Sequence, residues 1–315
     1  MSDSEIPPLH CHACGAAMPG DQTFAAVDRL HGTPGQFAVA VCPECGSGVT
    51  TPVVGGDELN AYYPSGYGPY EDPANPLVRL ISRVIRRRQS RRALATFPVA
   101  AVRAAGPGRG IDVGCGRGDL AAALIGAGWR MAGIEPSPEA AANARARGVD
   151  VRVGTLAECE LEPSGYDAAL FQHSLEHTAA PLADLTRIRG ALRPGGLVAI
   201  TVPNFGNWQA RRLRSRWYHL DVPRHRTHFT GPGLEALLER AGLELAALRT
   251  STSTAGLPAT IQYRLAGRCL FPDGLPLRVA SGLCVFTLPI AALLNRIGGG
   301  GDQLHAVARR PEPAA

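Results

Sequence analysis

The sequence predicts an α/β protein: a doubly wound parallel sheet preceded by a small metal-binding module. Two observations carry this. From residue 109 short apolar runs alternate with helical stretches, RGIDVG then DLAAALIGAG, RMAGIE then SPEAAANARARG, then VDVRVG, YDAALFQ and GGLVAITV. Strands that feed covering helices in this way build a parallel sheet. Ahead of them stand two CxxC pairs, Cys11 and Cys14 in CHACG, Cys42 and Cys45 in CPECG, a pattern that suits metal better than a disulfide framework.

A chain of 315 residues has room for one large domain with an appendage or for two ordinary ones. The net charge of +5 comes from 32 basic residues, all of them arginine. With 37 glycines this is a composition bias, so the basic balance does not by itself indicate nucleic acid. Residues 77–94 nevertheless hold seven arginines and no acid, a local basic patch. The remaining cysteines, Cys115, Cys159, Cys269 and Cys284, read as small buried apolar residues. MSDSEIPPLH lacks the charged and apolar regions of a secretory leader, and the expected location is the cytoplasm, with membrane association as an addition to it.

Residues 1–54 form the first expected unit, a zinc ribbon. Between Cys14 and Cys42 lie 27 residues that include FAAVDRL and QFAVAV, both readable as short strands. Each knuckle sets two thiolates on one tight turn, and the following Gly15 or Gly46 supplies the positive backbone angle. Four sulfurs close a tetrahedron with no open position, so Zn2+ here is expected to be structural; His12 reads as a turn residue. Residues 55–105 follow as a linker, YYPSGYGPYEDPANP, and a basic amphipathic helix over 77–94. Residues 106–315 carry the sheet.

After the first strand comes DVGCGRG, Asp112 to Gly118, whose glycines let the backbone turn sharply and approach a ligand. Glu135 ends the next strand, 19 residues beyond Gly116, placed to accept from ribose hydroxyls. D-x-G-x-G-x-G, with GTLAE after strand three, LRPGG before strand five and VPN after it, resembles the class I S-adenosylmethionine-dependent methyltransferases over about residues 106–250. That resemblance implies a Rossmann-like sheet of seven strands, the last antiparallel, and S-adenosylmethionine as cofactor. It places Gly114 and Gly116 against the methionine part, Asp112 at the loop and amino group, and Glu135 on the ribose. Cys115, Gly118, Pro136, Thr155, Leu156 and Gln172 complete the implied donor site, Thr155 and Leu156 standing where many relatives carry an acid near the adenine.

HSLEH, His173 to His177, matches the H-x-x-E-H zinc signature of inverted metalloproteases. It follows the fourth strand, however, and so belongs to the rim beside the donor. The stretch resembles the LEH segment of ubiquinone-type O-methyltransferases, and HLDVPRHRTHF resembles the PRH...HFT segment of enzymes from bacterial glycan and natural-product pathways. In the ubiquinone-type enzymes E-x-x-E-H goes with divalent metal; His173 replaces the first glutamate here. A hydroxyl attacks as its proton leaves, and a histidine can accept that proton. The candidates are His173 first, then His225 and His177, with His228 behind them, and Glu176 would orient a histidine.

Arg211, Arg212, Arg214, Arg216, Arg224 and Arg226 interleave with Trp208, Trp217 and Tyr218, a set suited to a phosphate and a ring or sugar. An insertion at about 251–301 separates GLELAALRT from DQLHAVARR and contains the uncharged VASGLCVFTLPIAALL, residues 279–294. It reads as a helical lid packed on the domain, with interfacial attachment or a short span as alternatives. The function expected is O-methylation of a small-molecule, sugar or lipid-linked glycan hydroxyl; the arginine stretch reads either as a surface loop of an arginine-biased chain or as the mark of an acceptor that carries phosphate. A deoxysugar C-methyltransferase and an RNA methyltransferase are the rivals; the ribbon's weak basic character counts against RNA.

Overall fold

The computed structural model describes residues 9–20, 22–55, 58–59, 61–63, 76–269 and 288–313. Strands β1 (Thr23–Ala26), β2 (Phe37–Val41) and β3 (Gly48–Thr51) form an antiparallel meander. Tyr62, read as the start of a linker, is buried against Phe37 and donates its hydroxyl to Pro34 O at 3.0 Å. Residues 64–75 of that stretch lie outside the described residues. Helices α1 (Pro76–Ala93) and α2 (Val99–Ala104) lead into the large sheet.

That sheet is built from β4 (Arg109–Val113), α3 (Asp119–Ile125), β5 (Arg130–Glu135), α4 (Pro138–Arg145), β6 (Asp150–Val153), β7 (Tyr166–Gln172), α5 (Pro181–Ala191) and β8 (Leu192–Pro203). There follow α6 (Trp208–Leu213), β9 (Thr227–His228), α7 (Gly231–Arg240), β10 (Glu244–Ser251), α8 (Gly256–Ala266), α9 (Leu288–Ile297) and β11 (Gln303–Arg309). Its order is β10-β11-β8-β7-β4-β5-β6, with β11 antiparallel to both neighbours. The expected doubly wound sheet with an antiparallel last strand is what the chain forms.

Alternation along the strands explains why both faces are covered. On one face Val113, Phe171, Ile200 and Val202 pack with Leu185 and Ile188 of α5 and Leu234, Leu237 and Leu238 of α7. On the other, Leu170, Leu197 and Ala199 pack with Val99 and Val102 of α2, Leu124 of α3 and Ala144 of α4. The first cluster also takes in Cys11, Ala13, Met18, Ala40, Cys42 and Val49, so the cysteine module shares the apolar core of the sheet domain. The backbone is shared too: β9 pairs with β3, His228 opposite Gly48 and Thr227 opposite Val49.

Helices α8 and α9 occupy the insertion before β11. Residues 279–287, the first part of the apolar run, lie outside the described residues. Among the described residues no helix is long and apolar enough to cross a membrane. Helix α9 packs on the domain through Ala291 and Asn295, whereas Ile290, Leu293, Leu294 and Ile297 face outward. The physical reason is the buried Asn295, whose polar partners all lie on the domain side.

Candidate active site

β4 ends at Val113, and the chain turns through Gly114, Gly116 and Gly118 with φ of +71°, +54° and +73°. A Cβ on Gly114 would stand 2.6 Å from Ser174 Cβ, whereas one on Gly116 would meet no protein atom within 4 Å. The loop is thus packed at one glycine and open at the next, as a ligand cradle requires. Glu135, buried at the end of β5, accepts from Gly116 N at 2.8 Å and Ser137 N at 2.9 Å. It therefore braces the loop as well as facing it.

Asp112 is buried, and its Oδ1 has no hydrogen-bond partner among the described residues. Burial first, and the charge of Glu135 second, push its carboxyl up to about 7. A buried carboxylate left this way is stabilised by an incoming cation, which fits a donor carrying an ammonium group. Cys115 follows, its thiol pushed up chiefly by burial. Pro136 is exposed, Leu156 is buried, and Gln172 Nε2 is buried without a partner. Thr155 turns back on its own helical turn: its N and Oγ1 both donate to Glu158 Oε2, at 2.7 and 2.8 Å.

His173 follows β7 with φ +54°, its N held by Thr201 O at 2.8 Å and its side chain 42% exposed. Its Nδ1 lies 3.5 Å from Glu176 Oε1, and its Nε2 lies 3.3 Å from Gln303 Nε2. Ser251 Oγ donates to Gln303 Oε1 at 3.2 Å, so the amide nitrogen of Gln303 faces the imidazole. A donor on Nε2 and a carboxylate beside Nδ1 select the tautomer with the proton on Nδ1 and the lone pair on Nε2.

Glu176 is 1% exposed, and among the described residues neither carboxylate oxygen meets a hydrogen-bond partner within ordinary limits. Burial pushes its carboxyl up, but contact with His173 and the neighbouring His225 and His177 hold it down to about 2. His177 Nδ1 lies 3.1 Å from Arg224 O and 3.3 Å from Tyr63 OH. His225 Nδ1 lies 2.9 Å from His219 O and its Nε2 3.9 Å from Glu176 Oε1; burial and then His177 push this imidazole down to about 4. His228 lies one ring further out, edge-on to His225 at 6.4 Å between centroids, with Nε2 2.9 Å from Thr50 Oγ1 and its ring against Phe205. The structure thus brings His173, His177 and His225 around Glu176 and sends His228 to the ribbon seam.

Residues 84–248, 165 of 315, match the family described as Methyltransferase domain. The chain belongs to that family. It is 35% identical over 112 residues to the ubiquinone biosynthesis O-methyltransferase of Xanthomonas campestris pv. campestris, covering 33% of this chain and 47% of that protein. It is 34% identical over 158 residues to the trans-aconitate 2-methyltransferase of Mycolicibacterium gilvum, covering 46% and 61%. The chain thus spans about half the length of the curated relatives it matches. A solved structure from Galdieria sulphuraria, assigned as a sarcosine dimethylglycine methyltransferase, superposes with a TM-score of 0.50 at 15% identity, over 77% of this chain and 93% of that one; it shows the same fold.

In this methyltransferase-domain chain the four cysteines fit zinc. Their sulfurs lie within 4.8 Å of one another, Cys11 to Cys45 at 3.6 Å and Cys14 to Cys42 at 3.5 Å, close to the edges of a tetrahedron with Zn–S bonds of about 2.3 Å. Gly15 and Gly46 turn with φ of +83° and +73°, as the knuckles demand. His12 bonds Thr227 Oγ1 instead of the cluster. The same module then holds the histidine segment: Thr50 Oγ1 donates to His225 O at 2.7 Å, Thr230 Oγ1 to Cys45 O at 2.6 Å, and Arg240 to Ala13 O at 2.6 Å.

A second metal set exists among the described residues: Glu176, His177 and His225 offer ligand atoms within 4.8 Å of one another. Both imidazoles have Nδ1 on a backbone carbonyl, which leaves Nε2 as the nitrogen for a metal. The set fits a divalent cation; His173, which replaces the first glutamate of E-x-x-E-H, is not part of it. Glu176, His177 and His225 would hold such an ion.

Two expectations change. Arg224 is not a phosphate ligand: it is 0% exposed, paired with Asp28 (2.7 Å) and Asp221 (2.6 Å), and donates to Tyr62 O. Arg226 donates to Val54 O and Trp217 is buried, so only Arg211, Arg212, Arg214 and Arg216 of the arginine set stay exposed. A cavity of about 1060 Å³ opens between Phe24, Cys45, Phe205, Arg211, Arg214 and Thr230; none of the three candidate catalytic histidines lines it. Sequence reasoning did not find Gln303, Ser174 or Tyr63. Ser174 Oγ donates to Val113 O at 2.6 Å, and no local pattern marks any of the three.

Proposed function

We propose that the protein is an S-adenosylmethionine-dependent methyltransferase acting on a hydroxyl of a small molecule, a sugar or a lipid-linked glycan. The observation that carries the donor half is the loop open at Gly116, braced by Glu135 beside the unpartnered Asp112 Oδ1. S-adenosylmethionine, when bound, supplies a methyl group on a sulfonium centre, so the acceptor's attack needs alignment and removal of a proton. Asp112 pairs with the ammonium, Glu135 holds the loop and the ribose edge, and Leu156 offers an apolar wall. The acceptor hydroxyl displaces the Gln303 amide from His173 Nε2, His173 then takes the hydroxyl proton there, and Glu176 steadies the imidazolium that forms through Nδ1. Gln303 is a positioning residue, since its amide holds the imidazole in the Nδ1-protonated tautomer until the acceptor hydroxyl takes its place.

Transfer of tritiated methyl from labelled donor into small-molecule, lipid and RNA fractions tests the reading. Label on an acceptor oxygen is expected. Label confined to RNA overturns the small-molecule or glycan acceptor, and label carried on carbon overturns the oxygen assignment. His173→Ala should cut kcat by about 10²–10⁴-fold with donor Kd unchanged, and unimpaired turnover removes His173 as the base.

A further inference from the structure

Helix α9 is built inside out. Its inward side carries Asn295, 1% exposed, whose Oδ1 accepts from Asn207 Nδ2 (3.2 Å), Trp208 Nε1 (2.9 Å) and Gln209 Nε2 (3.2 Å). Its Nδ2 donates to Thr252 Oγ1 at 3.0 Å. Its outward side carries Ile290, Leu293, Leu294 and Ile297, 59, 58, 38 and 75% exposed. These follow the i, i+3, i+4, i+7 spacing of a single helical stripe. Rolling the stripe inward would break four hydrogen bonds to a buried amide, so the apolar face is fixed outward. A stripe of this kind marks a contact surface.

The surroundings say which contact. Residues 205–220 and 288–301 hold five arginines and no acid, and Arg211, Arg212, Arg214, Arg216 and Arg296 are all exposed. Arg211 donates to Gly298 O at 3.2 Å, which puts Arg211 beside Arg296 at the C-terminal end of α9, while Arg214 lies over the Phe24 ring. Trp208, half-buried, bonds the helix from the same side. An apolar stripe edged by arginine and tryptophan matches the acyl–headgroup boundary of an anionic bilayer. The described span of α9, ten residues, is about 15 Å long, half a bilayer core of about 30 Å, which suits the interface better than a crossing.

We propose that α9 seats the protein on an anionic membrane surface, its apolar stripe in the headgroup–acyl boundary and its arginines on lipid phosphates. This goes beyond the methyl-transfer reading and does not rest on it. The test is flotation of the full chain with vesicles of phosphatidylcholine alone and of phosphatidylcholine with phosphatidylglycerol. The chain should float with the anionic vesicles, less so in high salt, and hardly with the neutral ones. The double variant Leu293→Glu with Ile297→Glu, at exposed positions, should keep its thermal midpoint and lose vesicle partition by roughly tenfold or more. Absence of flotation on anionic vesicles, or equal flotation of the variant, overturns the proposal. So does a parent dimer in sedimentation that the variant splits, because the stripe is then a contact between two copies.

Discussion

On one side of the rim the proposed donor loop takes its parts from 24 consecutive residues, Asp112 to Glu135, joined by the Gly116–Glu135 hydrogen bond. On the other side the histidine cluster gathers Tyr63, His173, Glu176, His225 and Gln303, with Asp28 and Thr50 of the ribbon holding the His225 segment from behind. The donor side is one strand–loop–helix–strand unit, whose closure costs little and whose geometry rides on the sheet. The histidine side is a meeting of distant segments, and the ribbon braces it from behind. Damage to the ribbon should therefore fall on turnover and spare donor binding.

The largest effect expected is from removing the structural metal. Structural zinc supplies on the order of 10 kcal/mol in small domains, so Cys42→Ser or strong chelation should unfold the ribbon and abolish turnover. Titration calorimetry should still find donor binding; equal loss of both would break the contrast. Next comes Arg224→Met, which strands Asp28 and Asp221 in the interior at about 3–5 kcal/mol. A thermal midpoint unchanged from the parent would show that this triad does not tie ribbon to rim, and adding Asp28→Asn should restore part of the loss.

The third effect sits on the donor side. Because the Asp112 carboxyl is raised to about 7, the folded donor-free protein binds this proton more tightly than the unfolded chain. Its contribution to stability therefore falls as pH rises from about 4 through 7. An ammonium-bearing donor favours the ionised form, so donor affinity should rise up to about tenfold across pH 6 to 8. Asp112→Asn should flatten that slope, and a slope kept in the variant assigns it elsewhere. The smallest effect is Gln303→Ala: loss of one neutral hydrogen bond, about 0.5–1.5 kcal/mol, should lower kcat by roughly 2- to 12-fold and alter the pH–rate profile. Unchanged kcat and profile would deny Gln303 a positioning role.

Much of the donor side was legible from the residues because its information is local. Alternating apolar runs, three glycines at fixed spacing and an acid at the end of the next strand describe a geometry that the backbone enforces by itself. The cysteine pairs were legible for the same reason, since each knuckle is a single turn closed by Gly15 N on Cys11 O or Gly46 N on Cys42 O. Arg224 was misread as a ligand because its side chain alone does not reveal that Asp28, nearly two hundred residues earlier, is waiting for it.

By itself, then, the sequence determined the sheet, the donor loop and the thiolate cluster, each written within one supersecondary unit. Only the tertiary structure decided which histidine is open to an acceptor, which amide faces its lone pair, and which side of α9 looks outward. Antiparallel pairing sets Gln303 beside Pro203 at the rim, and β3–β9 pairing joins the ribbon to the segment that carries His225. Those placements depend on long-range burial and on polar groups finding partners across the chain, and no window of neighbouring residues contains either.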